Sequence, residues 1–455
     1  MNKREKRAQY YLLLRSVKCI NIAAMTAIFT AVWYLFYSKE IGINCENVRF
    51  WVVLFAFSVL YILCGRIYEA FVVSAARRSE MVYSQCLALL LADGFMILLF
   101  CLAGRTIPSP VPMLAAFAAQ LLIAVLWTVC ADIWYYRTFQ AKASVVVHDS
   151  RENLEDLIVQ YGMDRKFDVK RSVTEEVCVQ HLPEMLDDAD VVFLCDVHST
   201  ERDCILNYCI QKDIQVYLIP STADILLSRA QIVHMFHLPM YSIGKRQTSL
   251  AFRVIKRLFD IVASSAALLV LSPVMLVTAI AIKDYDGGPI FFRQNRLTKD
   301  CRIFSMLKFR SMCVDAEKDG IARLSSGDQD PRITPVGRII RKTRIDELPQ
   351  LVNIIKGDMS IVGPRPERPE IAQQYEKELP EFALRLYVKA GLTGYAQVYG
   401  KYNTLPGDKL RMDLLYISKA SVWKDLQIIF ATIKILFMKE STEGVQENQV
   451  TAMDE

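Results

Sequence analysis

Histidine is scarce in this chain, with five among 455 residues, and the twelve cysteines include no Cys-x-x-Cys pair. The first scarcity leaves little for a histidine-built metal centre: His234 and His237 form a lone HxxH without other nearby ligands. The second removes the paired-thiol spacing of zinc ribbons and redox motifs. Scattered thiols, several inside apolar runs, fit reduced cysteines in a cytoplasm-facing protein. The first apolar segment lacks a small-residue cleavage site after a short apolar core, so it reads as a retained helix and not a signal peptide. Glycine is missing from "VVVHDSRENLEDL", around His148, where a dinucleotide-binding turn needs it for the backbone to approach a pyrophosphate.

Apolar residues, by contrast, are abundant, at 53% of the chain. Four runs near residues 17–37, 50–65, 82–104 and 113–135 reach roughly the length of a membrane span. The second is short, and the apolar stretch 71–76 offers an extension. Lys3, Arg4, Lys6 and Arg7 precede the first run, Arg66, Arg77 and Arg78 lie between the second and third, and Arg137 and Lys142 follow the fourth. By the positive-inside rule the N-terminal tail (1–16), the middle loop and everything after the four-helix transmembrane region (17–138) face the cytoplasm.

Residues 142–244 alternate strand-like and helix-like runs. "ASVVV", "FDVKRSV", "DVVFLCD" and "IQVYLIP" predict buried strands, and "RENLEDLIVQYG", "TEEVCVQHLPEML" and "TERDCILNYCIQ" the helices between them. This is the pattern of a small Rossmann-like α/β module, without its glycine-rich loop.

A fifth apolar run, residues 258–283, has Lys245, Arg246, Arg253, Lys256 and Arg257 before it and Lys283, Arg293 and Arg296 at or after its end. Both ends therefore favour the cytoplasmic face. Ser272-Pro273 stands near its middle, where proline removes a backbone hydrogen bond, so the expectation is a re-entrant helix broken there.

The next segment is basic and polar. "FFRQNRLTKDCRIFSMLKFRSM" alternates like a strand and delivers Lys308 and Arg310 close together. Farther on, Asp346 and Glu347 precede Leu348, Leu351, Val352 and Ile355 at helical spacing, with Lys356-Gly357 as a stop, so the pair is placed at a helix N-terminus. Arg338, Arg341, Lys342, Arg344 and Arg365 surround it in sequence. Such a mixture suits phosphates held by cations and a magnesium ion held by carboxylates.

"KFRSM", "RIDELPQLVNIIKGDMSIVGPRP", "GLTGYAQVYG" and "DLLYISKASVWKDL" together resemble the bacterial sugar transferase family, the monotopic phosphoglycosyl transferases that act on polyprenol phosphate. The likeness covers about residues 250–441, leaving 442–455 as a polar tail. The preceding helices and α/β module are similar to those of the large members that initiate exopolysaccharide, capsule or O-antigen synthesis. The resemblance implies a mixed α/β catalytic domain with a re-entrant helix kinked at Ser272-Pro273. It further implies transfer of a sugar 1-phosphate from a UDP-sugar to undecaprenyl phosphate, with release of UMP. Asp346 would be the nucleophile that carries the phosphosugar. Glu347 would bind Mg2+ with help from Asp413, and Lys308, Arg310, Arg341, Arg365, Lys389 and Lys401 would hold substrate phosphates. A bacterial inner-membrane location, a homodimer and no nucleic-acid partner belong to the same expectation.

Four residues depart from the family pattern: Lys389-Ala390 where Arg-Pro is usual, Lys401 in place of arginine, and Arg344 where a small hydroxyl residue is usual. Lysine cannot make the two-pronged phosphate contact of arginine. Two other classes compete with the transferase. A polytopic sugar-phosphate transferase needs many more spans than are present, and a membrane-tethered nucleotide sensor needs the phosphate loop that is absent near His148.

Overall fold

The computed structural model describes residues 3–38, 48–73, 77–104, 109–149, 154–244, 249–314, 330–400 and 404–436. The expected tail 442–455, Lys245, Arg246 and Lys401 lie outside them, and of the residues before Tyr10 only the backbone is described. The chain divides into two compact units, residues 1–219 and 220–455.

The first unit begins with four long helices, α1 (Lys3–Val32), α2 (Val48–Ile67), α3 (Arg78–Gly104) and α4 (Val111–Thr138). A π-helical turn, Trp33–Tyr37, prolongs α1. All four are long and apolar enough to cross a membrane. The extension expected for the second does not form: α2 stops at Ile67, and a turn with Glu69 in the left-handed region follows. Where apolar faces meet, polar side chains fix the packing. Tyr61 donates to Asn21 Oδ1 (2.8 Å), Asn21 Nδ2 to Gln85 Oε1 (3.0 Å) and Gln85 Nε2 to Thr128 Oγ1 (3.2 Å), so one chain of bonds joins all four helices.

An α/β layer follows: β1 (Lys142–His148), α5 (Leu154–Gln160), β2 (Phe167–Thr174), α6 (Glu175–Gln180), α7 (Leu182–Leu186), β3 (Val191–Cys195), α8 (Ser199–Gln211) and β4 (Gln215–Leu218). The four strands are parallel, in the order β2-β1-β3-β4. β1 ends in five buried residues, as a strand covered on both faces must. Val145, Val147, Val192 and Leu194 pack with Cys178, Leu186, Ile205 and Cys209 as the core.

The second unit opens with α9 (Thr222–Leu227) and a hairpin, β5 (Gln231–Met235) with β6 (Leu238–Ser242). Then comes α10 (Leu250–Asp286), started by the Ser249 side chain, which accepts from Phe252 N–H, and stopped by Gly287 at φ +69°. The break expected at Pro273 is not an interruption: the backbone stays helical across it. Proline leaves the Leu269 carbonyl without its usual donor, and the Ser272 hydroxyl donates to that oxygen at 2.8 Å. One stripe of α10, including Asp260, Ser264, Thr278 and Ile282, is buried. On the other side Leu258, Val262, Leu269, Val270, Val277 and Ile280 are exposed.

The remaining elements are β7 (Phe291–Leu297), β8 (Ile303–Phe309), α11 (Pro335–Lys342), α12 (Gln350–Lys356), β9 (Ser360–Val362), α13 (Pro369–Glu378), β10 (Gly391–Thr393), α14 (Tyr395–Tyr399), α15 (Pro406–Ser418) and α16 (Val422–Leu436). β7 and β8 pair antiparallel, and β9 and β10 parallel. Both halves of α10 pack on this body. Ala267 and Leu268 meet Phe304, Leu351 and Ile354, while Met275, Ala279 and Ile282 meet Phe309, Ile340 and Ile345. Polar groups of α10 are tied in too: Arg257 donates to the carbonyls of Ile354 (2.6 Å) and Ile355 (2.7 Å), and Asp260 accepts from Ile361 N–H (3.1 Å).

Candidate active site

Asp346 and Glu347 occupy a 3-10 turn, Ile345–Glu347, and not the first turn of a helix as expected. The α-helix starts only at Gln350, after Pro349, while Arg344 enters the turn at φ 57°, a left-handed conformation uncommon for a residue with a Cβ. The turn thus presents both carboxylates ahead of α12. Its depth is set by Asn353, whose Oδ1 accepts from Leu307 N–H (3.0 Å) and whose Nδ2 donates to Ser305 O (2.9 Å). These two bonds clamp α12 to β8, the strand that carries Lys308.

Lys308 Nζ reaches Glu347 Oε1 at 2.9 Å, Arg365 Nη2 reaches the same oxygen at 3.2 Å, and Arg344 Nη1 lies 3.9 Å from it. Burial pushes the Glu347 carboxyl up, but these three cations outweigh it and hold the group well below the usual carboxylate range. Burial likewise presses the Lys308 ammonium down, and Glu347 restores part of its charge. Asp346 goes the other way. Burial raises it, Glu347 adds to the rise, and Lys308, Arg344 and Arg341 oppose them. Its Oδ1 is buried without a hydrogen-bond partner. The pair is therefore split: Glu347 is an anchored anion, and Asp346 a carboxylate with an uncommitted oxygen.

The segment Pro364–Pro366 aims Arg365. Before it, Gly363 donates to Thr393 O and Gly391 to Pro364 O, each at 2.9 Å, so the two glycine motifs lie backbone against backbone. A Cβ on Gly391 would stand 2.1 Å from Gly363 N. Behind the segment, Arg385 Nη2 donates to Arg365 O (2.9 Å) and Arg296 Nη1 to Pro366 O (3.0 Å).

Asp413 lies in this rear layer, against Arg385. It is buried, and its Oδ2 pairs with Arg385 Nη2 at 2.8 Å. Burial lifts its pKa to about 6, against the pull of Arg385. Arg310 is also committed elsewhere. It lies one residue past the end of β8, turns away from Lys308 and binds Asp286, with Nη1 at 2.6 Å from Oδ2 and Nε donating to Pro289 O at 2.7 Å. Lys389 stands near Arg257 at the C-terminus of α12, where burial and that arginine lower its pKa. Of the expected phosphate ligands, then, Lys308 and Arg365 adjoin Glu347, Arg341 acts on Asp346, and Arg310 and Lys389 take other contacts. Sequence reading missed Asn353 and Arg385; their one signal was polarity inside otherwise apolar helical spacing.

Residues 251–439 match the family model described as bacterial sugar transferase. The exopolysaccharide production protein PSS of Rhizobium leguminosarum bv. phaseoli is 40% identical over 202 residues, 42% of this chain and 97% of that protein. The chain belongs to the bacterial sugar transferase family.

Other members of this transferase family are similar over a longer stretch. The UDP-N-acetylgalactosamine-undecaprenyl-phosphate N-acetylgalactosaminephosphotransferase of Aeromonas hydrophila is 40% identical over 239 residues, 52% of this chain and 55% of the relative. The UDP-glucose:undecaprenyl-phosphate glucose-1-phosphate transferase of Escherichia coli K12 is 34% identical over 265 residues, 56% of this chain and 57% of the relative. The match to these two covers a little over half of their length. The matched transferase segment contains the whole Lys308, Asp346, Glu347 and Arg365 cluster.

Proposed function

We propose that this protein transfers a sugar 1-phosphate from a UDP-sugar to undecaprenyl phosphate, with release of UMP, as the first membrane step of exopolysaccharide, capsule or O-antigen synthesis. The carrying observation is the buried Asp346 with an unpartnered Oδ1 beside a Glu347 ringed by Lys308, Arg365 and Arg344. An Asp346 oxygen attacks the β-phosphorus of the UDP-sugar, the bond to the UMP oxygen breaks, and an acyl-phosphate bearing the sugar remains. An oxygen of undecaprenyl phosphate then attacks the same phosphorus and returns Asp346 as carboxylate. Lys308 and Arg365 stabilise charge on the phosphoryl oxygens throughout. The donor set fits Mg2+, which prefers oxygen: two adjacent carboxylates share the turn, and Asp346 offers an orphaned oxygen. Glu347 would hold the ion, and the ion would neutralise phosphate charge when bound.

The catalytic domain works at the cytoplasmic face of the inner membrane of a bacterium. A helix that buries one stripe on its own domain and exposes the other as apolar surface suits a bilayer interface, with both ends of α10 on one side. The four preceding helices anchor the chain as multi-pass spans, and the α/β layer is a Rossmann-like module without a nucleotide loop. The expected homodimer belongs to the same reading; Phe236 at the tip of the β5–β6 hairpin, 81% exposed, offers an apolar contact for it. The deciding experiment is a UMP-release assay against a panel of UDP-sugars with undecaprenyl phosphate and Mg2+. Release that needs the lipid for turnover supports transfer; absence of UMP with every sugar overturns it.

A further inference from the structure

Outside the catalytic unit, a second constellation stands at the C-terminal edge of the parallel sheet. Asp149 follows β1, Glu175 opens α6 directly after β2, and His198 follows β3. One ligand atom from each lies within 4.8 Å of the others. The place is itself informative. The sheet order β2-β1-β3-β4 makes β1 and β3 neighbours whose outgoing connections diverge, to β2 on one side and β4 on the other. A parallel α/β sheet binds ligands in the crevice outside such a switch point, which is where Asp149 and His198 emerge.

The donors have metal chemistry. Glu175 is buried, at 7% exposure, where a carboxylate needs a cationic partner, and His198 stands beside it as one. Its Oε1 meets His198 Nδ1 at 2.6 Å and its Oε2 accepts the backbone N–H of His198 at 2.8 Å, so the imidazole is already turned toward the carboxylate. Asp149 adds a second negative charge to the same small volume. One nitrogen and two carboxylate donors are a set that first-row divalent metals accept, and a cation there would offset the repulsion between the acids. The opposite side of the cluster is open, since Asp149 and His198 are exposed.

We propose that Asp149, Glu175 and His198 form a binding site for a divalent transition-metal ion, separate from the magnesium chemistry of Glu347. The site gives this sheet edge a ligand that its missing glycines deny it in nucleotide form, and it stands independently of the transfer reaction.

The test uses Mn2+ as probe, because the twelve cysteines of the chain would compete for zinc. Full-length protein in detergent, stripped of metal, is titrated with Mn2+ and followed by electron paramagnetic resonance. Glu347→Gln serves as the background in which the catalytic carboxylate no longer contributes. The expected result is one bound Mn2+ in Glu347→Gln with nitrogen modulation from an imidazole in the electron spin echo. Adding His198→Ala should abolish that modulation and weaken binding at least about tenfold. Adding Asp149→Ala, an exposed position whose loss leaves the core intact, should weaken it as well. Absence of nitrogen modulation in Glu347→Gln, or equal affinity with and without His198 and Asp149, overturns the proposal.

Discussion

Lys308 Nζ and Glu347 Oε1 lie 2.9 Å apart with side chains only 18% and 12% exposed, so a strand and a 3-10 turn are joined by an ion pair largely withdrawn from water. Removing one partner of such a pair strands the other. Lys308→Met should lower stability by about 3 kcal/mol and turnover by about a hundredfold. Chemical denaturation and UMP release check the two figures, and a variant of wild-type stability would show that Arg365 and Arg344 suffice for Glu347.

Asp346→Asn should leave no enzyme carrying a phosphosugar after incubation with UDP-sugar and Mg2+, and turnover should fall at least about a thousandfold. Intact mass spectrometry reads the adduct directly. Burial raises the pKa of Asp346, so its ionised form is disfavoured in the folded state, and the amide should raise the unfolding temperature. Normal lipid product from this variant would hand the attack to undecaprenyl phosphate itself.

The Asp413 carboxyl, lifted from 3.8 to about 6, sets a pH window. Its folded-state pKa exceeds the unfolded one, so its contribution to stability is full below 3.8 and is lost as pH rises through about 6. Comparing Asp413→Asn with wild type by denaturation at several pH values should show that part of the slope vanish. An unchanged slope would mean that Arg385 fixes the charge of Asp413 at all pH values tested.

Gly391→Ala places a Cβ 2.1 Å from Gly363 N, inside the backbone contact that orients Arg365. Neither neighbour is a flexible side chain, so β9 and β10 must separate. Activity should drop more than tenfold, with KM for the UDP-sugar affected through Arg365. Retained KM would show that the segment Pro364–Pro366 keeps its aim without this contact.

Topology is testable at the two ends of α10. Cysteines placed at Arg253 and at Tyr285, which is 52% exposed, should both resist a membrane-impermeant thiol reagent applied to intact cells, in a background lacking the native thiols. Labelling at Tyr285→Cys alone would make α10 a true span.

Strands and long helices were legible because burial on both faces or along a stripe leaves a periodic trace. β1 to β4 fall on the four expected runs, but only β1 and β3 are the buried strands predicted; β2 and β4 lie at the sheet edges, where Phe167 alone is buried. Gly357, at φ +96°, ends α12 where the sequence places a stop. The Asp346-Glu347 pair stands out in the sequence, but its turn type does not: nothing in Ile345–Glu347 signals that Arg344 adopts a left-handed backbone. Arg310 was misleading for a related reason. Alternation puts it on the same side as Lys308 only while the strand lasts, and β8 ends at Phe309. Asn353 and Arg385 act through carbonyls and amides distant in sequence, a kind of partnership that residue spacing does not encode.

The apolar side of α10, taken with the reading proposed above, fixes how the enzyme meets its acceptor. An active site held at the plane of the bilayer encounters undecaprenyl phosphate by lateral diffusion, as a number per unit area. Diluting the acceptor with inert phospholipid, at constant bulk concentration, should then slow the second displacement while leaving adduct formation from the water-soluble UDP-sugar untouched.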